Sequence, residues 1–298
     1  MLLFENSIMR AKMVDVRHLL DLRNTIHSQY RQNLFENEFY EERVKDFEDL
    51  SSNVMPNARS LIVVAYKDPP VHFSFTHGGK KIELLVPPTY LFAQRKLRKI
   101  MDVMTGALES KGHHIVQAFL PKKLLAVCSG LAEYGKNNIT YVKGFGSYHR
   151  LVSFSSDLGC EQDEWREPVM MERCKSCKAC TLNCPTGAIN PERFLLHAER
   201  CLTYLDEKPK KVPFPAWVKK EWHNCLVGCM HCQSICPENK GMRGWIEEGE
   251  DFCEEETALL MSGKKAKELP KPLREKLTRC DLLDMLDLFP RNLSVFFE

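Results

Sequence analysis

ERCKSCKACTLNCPTGAI occupies residues 172–189 and sets Cys174, Cys177, Cys180 and Cys184 at C-x2-C-x2-C-x3-C, with Pro185 next. Three closely spaced thiolates in such a run face one [4Fe–4S] cubane, and the fourth, before proline, turns to a second cluster. CLVGCMHCQSICPENK, residues 225–240, repeats the end of the pattern with Cys229, Cys232, Cys236 and Pro237. The first member of a full second copy is displaced. Three residues, not two, separate Cys225 from Cys229, and Cys201 lies upstream as another donor. Spacing alone leaves that choice open. Structural zinc uses two C-x2-C pairs, which fits four thiols closed by Cys-Pro poorly. All-thiolate ligation suits iron–sulfur chemistry. Two [4Fe–4S] clusters are expected.

Nine of the thirteen cysteines in the 298-residue chain fall between Cys174 and Cys236. An odd total leaves one thiol over from any complete pairing, and the chain is long enough to bury a core without staples. Glu5 and Asn6 interrupt the only apolar stretch at the N-terminus, and runs such as Leu61 to Tyr66 are too short to span a bilayer. A cytoplasmic protein with no membrane partner is expected. The net charge of +2 argues for no global attraction to nucleic acid. The basic run 208–220 and the acidic run 247–256 are read as solvated surface.

Outward from the cysteines, the chain divides into residues 1–159, 160–245 and 246–298. In the first, an apolar stripe from Met13 to Ile26 predicts a helix over 12–30. Ser60 to Tyr66 reads as a buried strand stopped by Asp68-Pro69-Pro70. Residues 91–111 and 121–130 read as helices. Ile139 to Val142 and Leu151 to Phe154 read as a strand pair about the bend Gly144 to Ser147. The third stretch begins acidic and ends in LLDMLDLF, stopping at Pro290, and is expected to pack back on the body.

The second cysteine run, with Cys174 to Ile189 and Cys201-Leu202-Thr203-Tyr204-Leu205, resembles epoxyqueuosine reductase. So do Gly130 to Asn137 (family Gly-Leu-Gly-Trp-Ile-Gly-Lys-Asn), Gly146-Ser147 and the strand Ala58 to Tyr66. The likeness covers roughly residues 55–240. It implies an α+β protein in which residues 1–159 form an α/β corrinoid- or substrate-binding domain and 160–245 a two-cluster, ferredoxin-like domain. The same likeness implies that Cys174, Cys177, Cys180 and Cys236 hold one cluster, and Cys184, Cys201, Cys229 and Cys232 the other. Cobalamin or another corrinoid follows as a cofactor, with Lys136, Asn137, Gly146 and Ser147 as cofactor contacts. An electron donor such as a ferredoxin or flavodoxin is the implied partner. Reductive dehalogenases share the plan.

Three departures bear on the reaction. The family places an aspartate proton donor before the helix leading to Gly-Lys-Asn; His114 to Pro121 contains no acid. The family's Gly-Trp pair is Ala132-Glu133, a carboxylate where a flat macrocycle might lie. Tyr134, Tyr141, Tyr148 and His149 are the nearby groups able to carry a proton, and His231 lies between two cluster cysteines. Full-length relatives continue into helical repeats that help grip tRNA. With an acidic stretch at that place, tRNA is expected to be disfavoured and a small molecule preferred as substrate. The expectation is an iron–sulfur reductase. The alternatives are a corrinoid-free electron-transfer protein and a shortened epoxyqueuosine-tRNA reductase. The remaining cysteines, Cys128, Cys160, Cys225, Cys253 and Cys280, are read as inert buried thiols.

Overall fold

Ser60–Lys67 is buried along nearly all its length because helices cover both faces of the sheet it centres. The structure is a computed structural model describing residues 2–297. In chain order it contains β1 (Leu2–Glu5), β2 (Met9–Asp15), α1 (His18–Arg31), α2 (Asn37–Arg43), β3 (Ser60–Lys67), β4 (Val71–His77) and β5 (Lys80–Val86). Next come α3 (Ala93–Glu109), β6 (Ile115–Gln117), α4 (Lys122–Cys128), β7 (Glu133–Tyr134), β8 (Thr140–Tyr141) and β9 (His149–Ser156). Short helices α5 (Ala179–Asn183), α6 (Leu202–Asp206) and α7 (His231–Ser234) carry the cysteine region. The chain closes with β10 (Glu247–Phe252), α8 (Glu254–Met261), α9 (Lys271–Arg279) and α10 (Phe289–Phe297).

The main sheet is antiparallel, in the order β1-β2-β3-β9-β6. Alternation along β3 sends Leu61, Val63 and Ala65 into a core with α1 and α4, and Ile62 and Val64 into one with α3. That two-sided burial is why the run reads as continuously apolar. The fold is α+β.

Three expectations are corrected. Residues 12–15 belong to β2, not to a helix: Met9, Ala11 and Met13 alternate into the α3 core, and the helix starts at His18. Residues 139–142 do not pair with 151–154. Thr140–Tyr141 pairs with β7, while His149–Ser156 bridges β3 and β6. Pro290 begins a helix instead of ending one, since its missing N–H lies in the first turn, where no intrahelical partner exists.

The hairpin β4–β5, turning at Gly78-Gly79, builds a second sheet. Its third strand is β10, which lies parallel to β4 with Phe252 opposite Phe75. Phe73, Phe75 and Val86 share a core with Leu260, Leu277, Phe289 and Leu293. The final stretch therefore packs against residues 71–86, not against the main sheet. The acidic run is also spent internally. Glu250 pairs with Arg279, Asp251 with Lys81 and Glu256 with Lys276, while Glu254 accepts the N–H groups of Gly78 and Gly79.

Candidate iron–sulfur and cofactor site

Both cysteine runs fold into single helical turns, which point successive backbone N–H groups toward the thiols that precede them. Cys174, Cys177, Cys180 and Cys236 line one small cavity with Gly135, Lys136, Asn137 and Tyr141. The Lys136 N–H reaches the Cys174 sulfur and the Thr181 N–H that of Cys180. A second group forms around Cys201: it feels the Cys184 thiol, and Cys232 feels both Cys201 and Cys184. Cys229 in turn feels Cys232 and Cys201. The Thr203 and Tyr204 N–H groups point at Cys201 and that of His231 at Cys229. Burial pushes the Cys174, Cys180, Cys201, Cys229 and Cys232 thiols up, Cys232 to about 12. Low-dielectric sulfurs ringed by amides suit thiolates whose charge an iron cluster would share.

Cys225 lies behind Cys229, 1% exposed, packed with Tyr148 and Met230. Its neighbours are those of a buried inert thiol. Cys128 and Cys280 sit in cores and Cys160 is half-buried; Cys253 is exposed, contrary to expectation, because it precedes α8 at the surface.

A large cavity of about 480 Å³ opens between the main sheet and the cysteine region. Cys229 lies on its wall, whereas none of the first group does. Opposite are Pro88, Tyr90, Leu97 and the segment Gln117-Ala118-Phe119, so the acid-free stretch does face the cavity. No carboxylate lines it. Its cations are Lys122, Lys123 and Arg150; burial lowers the pKa of Lys122, with Arg150 and Lys123 adding repulsion. Arg150 is engaged, donating from Nε to Asp68 (3.0 Å) and from Nη2 to the Leu91 carbonyl (2.7 Å). Lys96 completes this buried triad on Asp68.

His149 lies on the wall with both nitrogens used, toward the Gly146 carbonyl and the Thr140 hydroxyl, each at 3.1 Å. Burial lowers its pKa to about 4, so it is neutral near pH 7. Tyr134 packs edge-on against Phe194, and Tyr148 is buried beside Cys225; neither reaches this cavity. Glu133 is exposed and borders a different pocket, so the Ala132-Glu133 pair places no carboxylate in the large cavity. His231 donates from Nε2 to the Trp222 carbonyl (2.9 Å).

The motif residues sit at the seam between sheet and cysteine region. Ser147 borders the cavity, but its hydroxyl donates to Gln233 Oε1 (2.8 Å) and its N–H to Asn239 Oδ1 (2.8 Å). Gly146 has φ +56, and a Cβ there would meet Asn239 Oδ1 at 2.3 Å. Lys136 and Asn137 lie with the first cysteine group, not in the large cavity. Tyr90, Lys122, Gln233 and Asn239 escaped the sequence reading. The doubled lysine opening α4 was the only visible signal among them.

These elements define a protein with two groups of buried thiols placed to hold two iron–sulfur clusters. Residues 173–239 match the family described as 4Fe-4S double cluster binding domain, so the chain carries two [4Fe–4S] clusters. An epoxyqueuosine reductase of Atelocyanobacterium thalassa (isolate ALOHA) is 27% identical over 192 residues, 62% of this chain and 60% of the relative. That of Bacillus subtilis is 32% identical over 152 residues, 49% of this chain and 37% of the relative. The solved B. subtilis epoxyqueuosine reductase superposes with a TM-score of 0.63 at 21% identity, over 96% of this chain and 76% of that one. Over these spans the chain is similar to epoxyqueuosine reductases. The chain spans between about a third and three fifths of the length of these curated relatives.

One expectation is overturned here. A solved epoxyqueuosine reductase of the same fold (TM-score 0.61, 20% identity, 96% of this chain and 76% of that one) holds an epoxyqueuosine-modified tRNA-Tyr stem loop. Treating tRNA as a disfavoured partner was therefore mistaken. Three carboxylates of the acidic run that motivated it, Glu250, Asp251 and Glu256, pair with Arg279, Lys81 and Lys276. Among the described residues no helix is long and apolar enough to cross a membrane.

Proposed function

We propose that this chain is a cytoplasmic epoxyqueuosine-tRNA reductase that works with a corrinoid. In this reading Cys174, Cys177, Cys180 and Cys236 hold one cluster, and Cys184, Cys201, Cys229 and Cys232 hold the other. The observation that carries it is the position of Cys229, which brings the second thiol group to the wall of the 480 Å³ cavity. A low-potential cluster at a cavity wall suits electron delivery to a bound cofactor.

The cavity suits a large, partly apolar ligand. Leu97, Ala118, Phe119 and Val152 give it apolar walls, and Gln117, Thr140 and Ser153 supply polar groups for amide side chains. When bound there, a corrinoid would supply one-electron cobalt chemistry. The chain's own part is to exclude water, orient the ligand and hold a proton. With His149 neutral and engaged and no carboxylate present, that proton falls to Lys122 on the wall.

Protein purified without oxygen tests the reading. Iron, sulfide and cobalt are quantified, cob(II)alamin is titrated in by electron paramagnetic resonance (EPR), and epoxyqueuosine-tRNA is offered with a chemical reductant. Perturbed cobalt resonances and conversion to queuosine are expected. The absence of a carboxylate from the wall favours one other reading, a corrinoid-free electron-transfer protein. Two clusters without corrinoid binding or turnover would establish that one instead.

A further inference from the structure

Gly135-Lys136-Asn137 was expected to touch a cofactor in the large cavity, yet it lies between the two cysteine groups. Asn137 is 2% exposed and Tyr141 5%. The Asn137 side-chain oxygen is oriented by accepting the Ile139 N–H at 3.3 Å. Its amide nitrogen therefore faces the other way, and donates to the Tyr141 hydroxyl at 3.1 Å. An amide nitrogen carries two protons. The same group lies within hydrogen-bonding reach of the Cys232 sulfur, in the second cysteine group. The Tyr141 hydroxyl has one proton to give, and it lies within reach of the Cys236 sulfur, in the first. Tyr141 also packs with Cys174 and Cys236 in one buried cluster.

From this arrangement we infer that Asn137 and Tyr141 form a hydrogen-bonded bridge between the ligands of the two clusters. The bridge runs from Cys232 sulfur through the Asn137 amide and the Tyr141 phenol to Cys236 sulfur. Both are positioning residues that set the reduction potentials of the pair. The inference rests on the ligand sets proposed above.

The sequence around the bridge is shaped to fit it. A Cβ at Gly135 would stand 2.5 Å from Asn137 Oδ1 and 2.6 Å from Tyr141 Cε2, so only glycine leaves room for the two side chains to meet. Lys136 contributes through its backbone, whose N–H reaches Cys174. The Gly-Lys-Asn segment thus serves both clusters from one turn. Hydrogen bonds donated to ligand sulfurs stabilise the more negative, reduced cluster and raise its potential. Bonds linked in a chain polarise one another, so a change at one end is felt at the other.

The test is an EPR-monitored redox titration of the full chain, purified without oxygen and reconstituted to two clusters. Tyr141→Phe keeps the ring and removes the donor. It should move one reduction wave to more negative potential and leave iron content unchanged. Asn137→Ala should move the other wave and, by releasing the phenol, part of the first. Together the two changes should shift the waves by less than the sum of the separate shifts. Wild-type potentials in Tyr141→Phe with full iron content would overturn the bridge. Should Tyr141→Phe lose iron, Asn137→Ala is judged by the same criterion. Cys236→Ala separates the two levels of the argument. If it keeps both clusters, the ligand sets are wrong and the bridge falls with them. If it loses one cluster while both bridge variants keep wild-type potentials, only the bridge is wrong.

Discussion

Ser147 and Asn239, 92 positions apart, hold each other reciprocally: Ser147 N–H donates to Asn239 Oδ1 at 2.8 Å, and Asn239 Nδ2 donates to Ser147 Oγ at 2.7 Å. Asn239 Nδ2 also donates to the Gln233 carbonyl (2.8 Å), tying the turn after the main sheet's last hairpin region to the cysteine segment. All three groups are buried.

Asn239→Ala would leave the Ser147 N–H without a partner inside the protein and the Gln233 carbonyl with the Cys236 N–H alone. A loss of about 1–3 kcal/mol is expected, the cost of one unsatisfied buried group. Anaerobic urea denaturation of the cluster-loaded protein measures it. Gly146→Ala should cost at least as much, since it adds the clash at Asn239 to a left-handed φ.

Cys201→Ala and Cys225→Ala should part company. Cys201 sits among Cys184, Cys229 and Cys232, whereas Cys225 packs with Tyr148 and Met230. Iron analysis after anaerobic reconstitution should show half the iron lost in the first variant and none in the second. Equal iron in both would refute the assignment of Cys201.

Asp68→Ala should be among the most damaging changes outside the cysteines. Asp68, 1% exposed, balances Lys96 and Arg150 and accepts the Thr89 N–H at 3.1 Å. Removing it strands two buried cations, at a cost of about 3–5 kcal/mol. Failure to accumulate as folded protein at 37 °C, with recovery at lower temperature, is the expected readout.

Acid should weaken the fold through His149. Its pKa is lowered to about 4 in the folded state, against roughly 6.5 in the unfolded chain. The unfolded state therefore binds the extra proton between those values. The contribution is fully present above pH 6.5 and is lost as pH falls toward 4. Between pH 7 and 5 the loss is about 2 kcal/mol. His149→Asn, compared with wild type by denaturation at both pH values, should remove that part of the slope.

The cysteine region was legible because ligand spacing is local. Cubane geometry fixes which offsets are useful, and they lie within single helical turns. β3 and α3 were legible for a similar reason, one buried on both faces and the other carrying a clear apolar stripe. β2 was misread because Met13, Val16 and Leu19 also fit a helical period, and only pairing with β3 decides between the two. Spacing could not choose between Cys201 and Cys225; only the resemblance did. The pairing of β10 with β4 was invisible, since a strand reading Glu-Glu-Gly-Glu-Asp-Phe carries no apolar alternation. Only contact across some 170 residues defines it. The tie of Ser147 to Gln233 and Asn239 belongs to the same class of non-local facts.

That β4–β10 pairing governs the order of events during synthesis. The hairpin 71–86 emerges early but lacks its third strand and most of its core until residues 247–293 follow. Phe92, packed against the core of the small sheet, likewise waits for Asp281 to accept its N–H. Contacts so distant in sequence form late, because a long loop must close before they reward it. Both cysteine runs lie inside that loop. Both runs are thus complete before the third strand that closes the small sheet has been made.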